Sequence, residues 1–260
     1  MHYLSTRNNQ LKESFLNILF RGLSKDGGLF LPSEWPTISL ENLQGKSYQE
    51  VAHSIIYPYI QDDISDTDLQ LIINTAYENF DHKKIAPLVN IDQNKYILEL
   101  FYGPTFAFKD YALQFLGNLF SYLLNQRTKK ITVLGATSGD TGSAAINAFK
   151  GKNGIEVFIL HPHNNVSEVQ RRQMTTVEEN NIHNFAIDGT FDDCQRIVKE
   201  LFVDEEIQSK TSLTAINSIN WIRIIAQTVY YFWSYLQLNE EKINFIVPSG
   251  NFGNIFSARV

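Results

Sequence analysis

Residues 131–149 read ITVLGATSGDTGSAAINAF. The run ITVLGA is a buried strand, it breaks at SGDTG, and GSAAINAF continues as a helix. The same alternation extends outward in both directions. Downstream come the strand IEVFIL (155–160), a helix over 167–175, the strand HNFAI (183–187) and a helix over 191–202. A long aromatic-rich helix over 219–236 then precedes the strand INFIVP (243–248) and the turn SGNFGN (249–254). Upstream, 96–100 is strand-like and 110–124 is helical. This alternation predicts an α/β fold of parallel sheets wrapped by helices, with ligands gathered where strand carboxyl ends meet helix amino ends.

The texture differs before residue 95. Residues 14–23 and 47–59 read as helices, and DGGLFLP (26–32) between them is a turn leading into a short extended piece. We therefore expect a helical amino-terminal segment over 1–95 and a larger domain built from 96–108 and 224–260. A smaller α/β domain over 109–223 lies between, with a ligand cleft where the two domains meet. The stretch NIFSARV (254–260) begins a helix that reaches Val260 without a cap. The expectation is that further sequence completes the larger domain.

Composition limits the partners. The 260 residues carry a formal net charge of -6 with both signs scattered, which suggests neither a nucleic-acid groove nor a surface for anionic membrane. A small anionic ligand would need a local positive site. Cys194 is the only cysteine, so no internal disulfide and no cysteine-based metal cluster is expected, and a small buried role on a helix suits it. Arg7, Asn8, Asn9, Lys12 and Glu13 interrupt the first twenty residues, which leaves no secretory core. No later run approaches a membrane span. These features point to a cytoplasmic protein.

Two glycine turns and one lysine carry the chemistry. In SGNFGN, Gly250 and Gly253 permit a tight backbone whose successive N–H groups point inward, and the helix that follows adds its positive end. This is an anion cup with neither the GK[ST] ending of a Walker loop nor a GxGxxG spacing. In SGDTG, Ser138, Thr141 and the backbone can hold a carboxylate or a second phosphate. Taken alone, either turn reads equally well as an ordinary helix start. Lys109, in FYGPTFAFKD (101–110), sits among Pro104, Phe106, Ala107 and Phe108 ahead of a helix. Desolvation and the positive helix end both favour the neutral amine needed for Schiff-base chemistry, although a lone lysine is also an ordinary surface charge.

The stretches RGLSKDGGLFLP, FYGPTFAFKD, ATSGDTGSAA, NSINWIR and PSGNFGN, in this order, resemble the threonine synthase family. Its members are fold-type II enzymes that use pyridoxal 5'-phosphate, and the likeness runs from about Tyr3 to the end of the chain. It implies that Lys109 carries the cofactor as a Schiff base and shuttles protons at the substrate carbons. Gly250, Asn251, Phe252, Gly253 and Asn254 would hold the cofactor phosphate, and Asp140 would face the cofactor ring. Ser138, Gly139 and Thr141 would bind the substrate carboxylate or phosphate. Asn217, Ser218 and Arg223 would grip the phosphate of O-phospho-L-homoserine, a task that suits the planar fork of arginine.

The implied reaction joins O-phospho-L-homoserine and water to give L-threonine and phosphate, in a monomer or homodimer with no metal. One stretch departs from the family. HPHNNVS (161–167) places Asn165 where a basic residue usually precedes VS, so that charge would come from elsewhere, with His163 a candidate. Otherwise His161 and His163 are loop residues at a strand end. The group facing the cofactor's pyridine nitrogen is expected beyond Val260. Two other readings share these residues: another fold-type II lyase, acting on phosphohomoserine or a hydroxy amino acid, and a folded fragment that binds phosphate without turnover.

Overall fold

The structure is a computed structural model that describes residues 1–22, 24–126, 130–216, 220–238 and 240–260. Its contacts divide the chain into two compact units, Met1–Phe115 with Ser218–Val260, and Leu116–Asn217. Residues 1–95 therefore share one unit with the flanking pieces, and the division falls inside a helix.

The first unit opens with β1 (Tyr3–Ser5), which pairs antiparallel with β2 (Lys12–Glu13) and β3 (Phe30–Pro32). Tyr3 and Ser5 are buried and Leu4 between them is not, the period-2 pattern of a sheet with one covered face. Helix α1 (Phe15–Arg21) starts on the side chain of Ser14 and ends at Gly22, whose φ of 76° turns the chain out of the helix. Helix α2 (Tyr48–Ile60) starts on a reciprocal capping box between Ser47 and Glu50. It buries Tyr48, Val51, Ala52, Ile55, Ile56, Tyr59 and Ile60, one face at helical spacing. Helix α3 (Asp66–Tyr77), capped by Ser65, buries Leu69, Ile72, Ile73, Ala76 and Tyr77.

A hairpin follows, β4 (Leu88–Asp92) paired antiparallel with β5 (Lys95–Leu98). The strand expected at 96–100 is thus present, but in a two-stranded antiparallel sheet. Asn94 adopts a φ of 55°, which closes the tight turn that makes antiparallel pairing possible. Helix α4 (Asp110–Asn125) comes next and contains the division between the units.

In the second unit, β6 (Ile131–Ala136), α5 (Asp140–Phe149), β7 (Ile155–Pro162), α6 (Glu168–Thr175) and β8 (Ile182–Ile187) alternate as the sequence predicts. Helices α7 (Phe191–Val203) and α8 (Glu205–Lys210) lead to β9 (Leu213–Ala215). All pairings are parallel, in the order β8-β7-β6-β9, with Ile131 opposite Ile155 and Val157 opposite Ile182. Leu134, Leu160, Cys194 and Val198 form a core between sheet and α7, so the single cysteine is a buried apolar residue. Gly117 of α4 meets α5 closely: an added Cβ would lie 2.4 Å from the Ala148 carbonyl oxygen.

The chain then returns to the first unit through α9 (Trp221–Leu236), whose residues 221–231 are buried on every side. Residues 243–248, expected as a strand, are irregular, with Phe245 and Ile246 42% and 97% exposed. The apolar pattern is present, but no strand among the described residues pairs with it. A strand without a hydrogen-bonded neighbour is not stable in water. The only parallel sheet among the described residues is therefore that of the second unit. Helix α10 (Gly253–Ser257) packs on α9.

Candidate functional site

Lys109 stands at the end of a tight turn that precedes α4. Asp110, fully buried, accepts hydrogen bonds from the Thr105 N–H and from Thr105 Oγ1, both at 2.8 Å. The Phe106 N–H donates to the Gly103 carbonyl at 3.0 Å, and the Asp110 N–H to the Ala107 carbonyl at 3.0 Å. Gly103 lies so close to the carboxylate that an added Cβ would sit 2.5 Å from Asp110 Cβ. Phe106 holds a φ of 61°, a left-handed conformation that costs a bulky residue on the order of 1–3 kcal/mol, and its ring is 68% exposed. Burial of that ring therefore does not offset the strain; the bonds on either side of it do. Lys109 itself is half-buried, with Nζ 4.5 Å from the Phe108 ring centroid, over a face that attracts cations.

The next residue fastens the helix. Tyr111 Oη donates to the Ile85 carbonyl at 2.6 Å, and Tyr77 Oη of α3 donates to the Tyr111 carbonyl at 3.0 Å. Edge-on contacts of Tyr48 with Tyr77, Tyr111 and Trp233 surround this point. Burial raises all three tyrosines well above the ordinary phenol value, so all stay neutral and Tyr77 and Tyr111 keep the protons they donate.

The second glycine turn also lies in the first unit. Ser249 Oγ donates to Asn254 Oδ1 at 2.5 Å and accepts the Phe252 N–H at 3.0 Å. Asn254 Oδ1 accepts the Ile255 N–H at 3.0 Å, and its carbonyl takes a bond from Tyr231 Oη of α9 at 2.8 Å. Phe252 is left-handed, with φ 55°, and 63% exposed. Gly250, Asn251 and Phe252 are exposed, and Gly253 and Asn254 half-buried. Arg223, on α9, is 2% exposed, and burial lowers its guanidinium to about 10.

The third cluster lies in the second unit. Thr137, buried at the end of β6, accepts the N–H groups of Gly139 and Gly142 at 3.0 and 2.8 Å. Gly139 has a φ of 144°, and an added Cβ would lie 2.0 Å from Gln170 Oε1. Gln170 Nε2 donates to Asp140 Oδ1, and Ser167 Oγ donates to Gln170 Oε1 at 2.9 Å. Ser138 is exposed and Thr141 half-buried.

Lys109, Arg223 and residues 250–254 thus share one unit, and Ser138, Gly139, Asp140 and Thr141 belong to the other. Asn217 and Ser218 lie outside the described residues. His161 is buried inside β7, which extends past the expected strand end, while His163 is exposed. Sequence reasoning missed Thr137, Gln170, Ser249 and Asp110. The spacing of Ser167 and Gln170 is that of a helix-start capping pair, so Gln170 had a signal; the other three are ordinary polar residues whose partners only folding reveals.

A family model described as "Pyridoxal-phosphate dependent enzyme" matches residues 81–258. The chain belongs to the pyridoxal-phosphate dependent enzyme family. A second model, "Threonine synthase N terminus", matches residues 2–77 of this family member. It is similar to the threonine synthase of Pseudomonas aeruginosa, 48% identical over 99% of this chain and 56% of that protein. The PLP-bound threonine synthase structure from Brucella melitensis superposes with a TM-score of 0.94 at 46% identity, over 100% of this chain and 57% of that one. The yeast threonine synthase structure gives 0.91 at 44% identity, over 99% of this chain and 55% of that one. The chain therefore spans about half the length of the relatives it matches.

The residues present fit the family's cofactor. Pyridoxal phosphate asks for an amine at its aldehyde and hydrogen-bond donors at its phosphate. Lys109, half-buried in the turn before α4, would offer the first. At Gly250 an added Cβ would meet no atom within 4 Å, so a phosphate can approach the backbone there.

Proposed function

We propose that this chain acts as a threonine synthase, converting O-phospho-L-homoserine and water to L-threonine and phosphate. The observation that supports it most is the match to threonine synthase structures along the whole chain, motifs included. In this reading Lys109 holds pyridoxal 5'-phosphate covalently, and Gly250, Asn251, Phe252, Gly253 and Asn254 hold its phosphate. Asp140, kept in place by Gln170, faces its ring. The bound cofactor supplies an electron sink for the substrate's α and β carbons.

The chain's own groups do the rest. With the cofactor bound to substrate, the free amine of Lys109 would move protons at the substrate carbons, so that phosphate can leave from the γ carbon and water add at the β carbon. Arg223 binds the substrate phosphate with Asn217 and Ser218. Its guanidinium is buried, so a phosphate dianion would add charge-assisted hydrogen bonds to a desolvated cation. Ser138, Gly139 and Thr141 bind the substrate carboxylate. The functional division we propose is 1–95, then 96–108 with 224–260, then 109–223.

We place the protein in the cytoplasm as a monomer or homodimer; among the described residues no helix is long and apolar enough to cross a membrane. The test is product analysis with O-phospho-L-homoserine, together with borohydride reduction and peptide mapping of the cofactor-treated chain. Threonine and phosphate in equal amounts, with the reduced adduct on Lys109 and absent from Lys109→Ala, are expected. Phosphate released with a keto acid in place of threonine would sink the synthase reading, and an adduct elsewhere would sink the assignment of Lys109.

A further inference from the structure

The left-handed Phe106 and the buried Asp110 enclose Lys109 on the sequence, and neither is accounted for by binding. A bulky residue at positive φ with an exposed ring persists only where the surroundings hold it. The holding group is identifiable: the Asp110 carboxylate reaches back to take both the N–H and the hydroxyl of Thr105, and Gly103 lacks the Cβ that would exclude it. With the turn closed at Thr105 and the helix begun at Asp110, the backbone of Lys109 has little freedom left. The Leu113 N–H bonds the Lys109 carbonyl at 3.0 Å, committing that peptide to the helix.

We infer that the Thr105–Asp110 pair is a positioning device that aims the Lys109 amine, so that Thr105 and Asp110 set how fast and how selectively this lysine captures an aldehyde. The inference rests on the proposed role of Lys109. Asp110 is at the amino end of α4, where its negative charge is favoured, and it is 0% exposed, with each carboxylate oxygen taking a bond from Thr105. Without the hydroxyl the clasp between Thr105 and Asp110 loses one of its two bonds, and the left-handed Phe106 is held less tightly. The Lys109 side chain then samples directions from which the aldehyde carbon is out of reach. Loss of orientation appears in the rate of bond formation before it appears in overall stability.

The experiment incubates the full chain with limiting pyridoxal 5'-phosphate, reduces with borohydride at timed intervals and maps the adduct. Exposed Lys95 and Lys210 serve as internal references. Thr105→Val should lower the Lys109 capture rate about tenfold relative to the references, the factor set by one hydrogen bond to a charged acceptor. Thr105→Ser should restore it. Thermal unfolding of each variant reports stability separately, and a purely structural role would leave the ratio of Lys109 to reference adduct unchanged. Should Thr105→Val fail to fold, Asp110→Asn, which keeps the volume and one acceptor oxygen, carries the same comparison. A folded Thr105→Val or Asp110→Asn chain with the unmodified chain's ratio overturns the inference, as does failure of serine to rescue. An unmodified chain that captures nothing at Lys109 overturns the role of Lys109 instead, and the inference with it.

Discussion

Arg223→Met is the substitution whose outcome the burial of α9 determines most directly. Arg223 is 2% exposed and burial lowers its guanidinium from the ordinary arginine value to about 10. A folded value below the free value means that the folded state binds this proton more weakly. The penalty is complete below about pH 10, shrinks as pH rises toward the ordinary arginine value, and is constant through the neutral range. At 1.36 kcal/mol per unit it is about 3 kcal/mol. Methionine keeps a similar volume and removes the charge, so once the contacts Arg223 makes are set against the penalty, the ligand-free chain should gain between about 1 and 3 kcal/mol. At roughly 2–4 °C per kcal/mol for a chain of this size, Tm should rise by some 2–12 °C. The assay is thermal unfolding with and without inorganic phosphate. Added phosphate should raise Tm of the native chain and leave Arg223→Met unmoved. A variant that melts below the native chain would refute the reasoning, because the buried cation would then be a net stabiliser before any ligand arrives.

Two further expectations concern the turns. Gly139→Ala places a Cβ against Gln170 at a φ open to glycine alone, and urea unfolding should show a loss of about 1–3 kcal/mol with unchanged m; an unchanged midpoint would mean that Gln170 moves aside freely. Tyr77→Phe removes the bond to the Tyr111 carbonyl and should lower Tm by roughly 2–4 °C, from a loss of about 1 kcal/mol. Equal melting temperatures would show that packing alone holds α3 against α4.

Most of the second unit was legible because β6, β7 and β8 are largely apolar runs that pair in sequence order, whereas α8 and the short β9, which pairs with the distant β6, were not anticipated. The helix α3 was missed although Ser65 and Asp68 mark its start and its apolar residues keep helical spacing; the charged first turn obscured it. The strand pattern at 243–248 failed for the opposite reason, since periodicity records which face could be buried and says nothing of whether a neighbour is there to bond. Lys109 and the glycine turns were visible as motifs. Thr137, Gln170 and Asp110 were not, because a buried hydrogen bond is made by two residues whose meeting no local pattern encodes.

The first unit is interrupted: α2 is made early, but its partner α9 follows the entire second unit. Tyr48 waits for Trp233 and Tyr59 for Trp221, whereas the parallel sheet has all its strands before α9 is synthesised. On the ribosome the inserted unit can therefore collapse first, while the amino-terminal helices hold apolar faces uncovered. Closing so long a loop adds only modest entropy, so the delay is one of synthesis time. During that interval the nascent chain is a substrate for chaperones, and slowing translation across 220–236 would prolong its exposure.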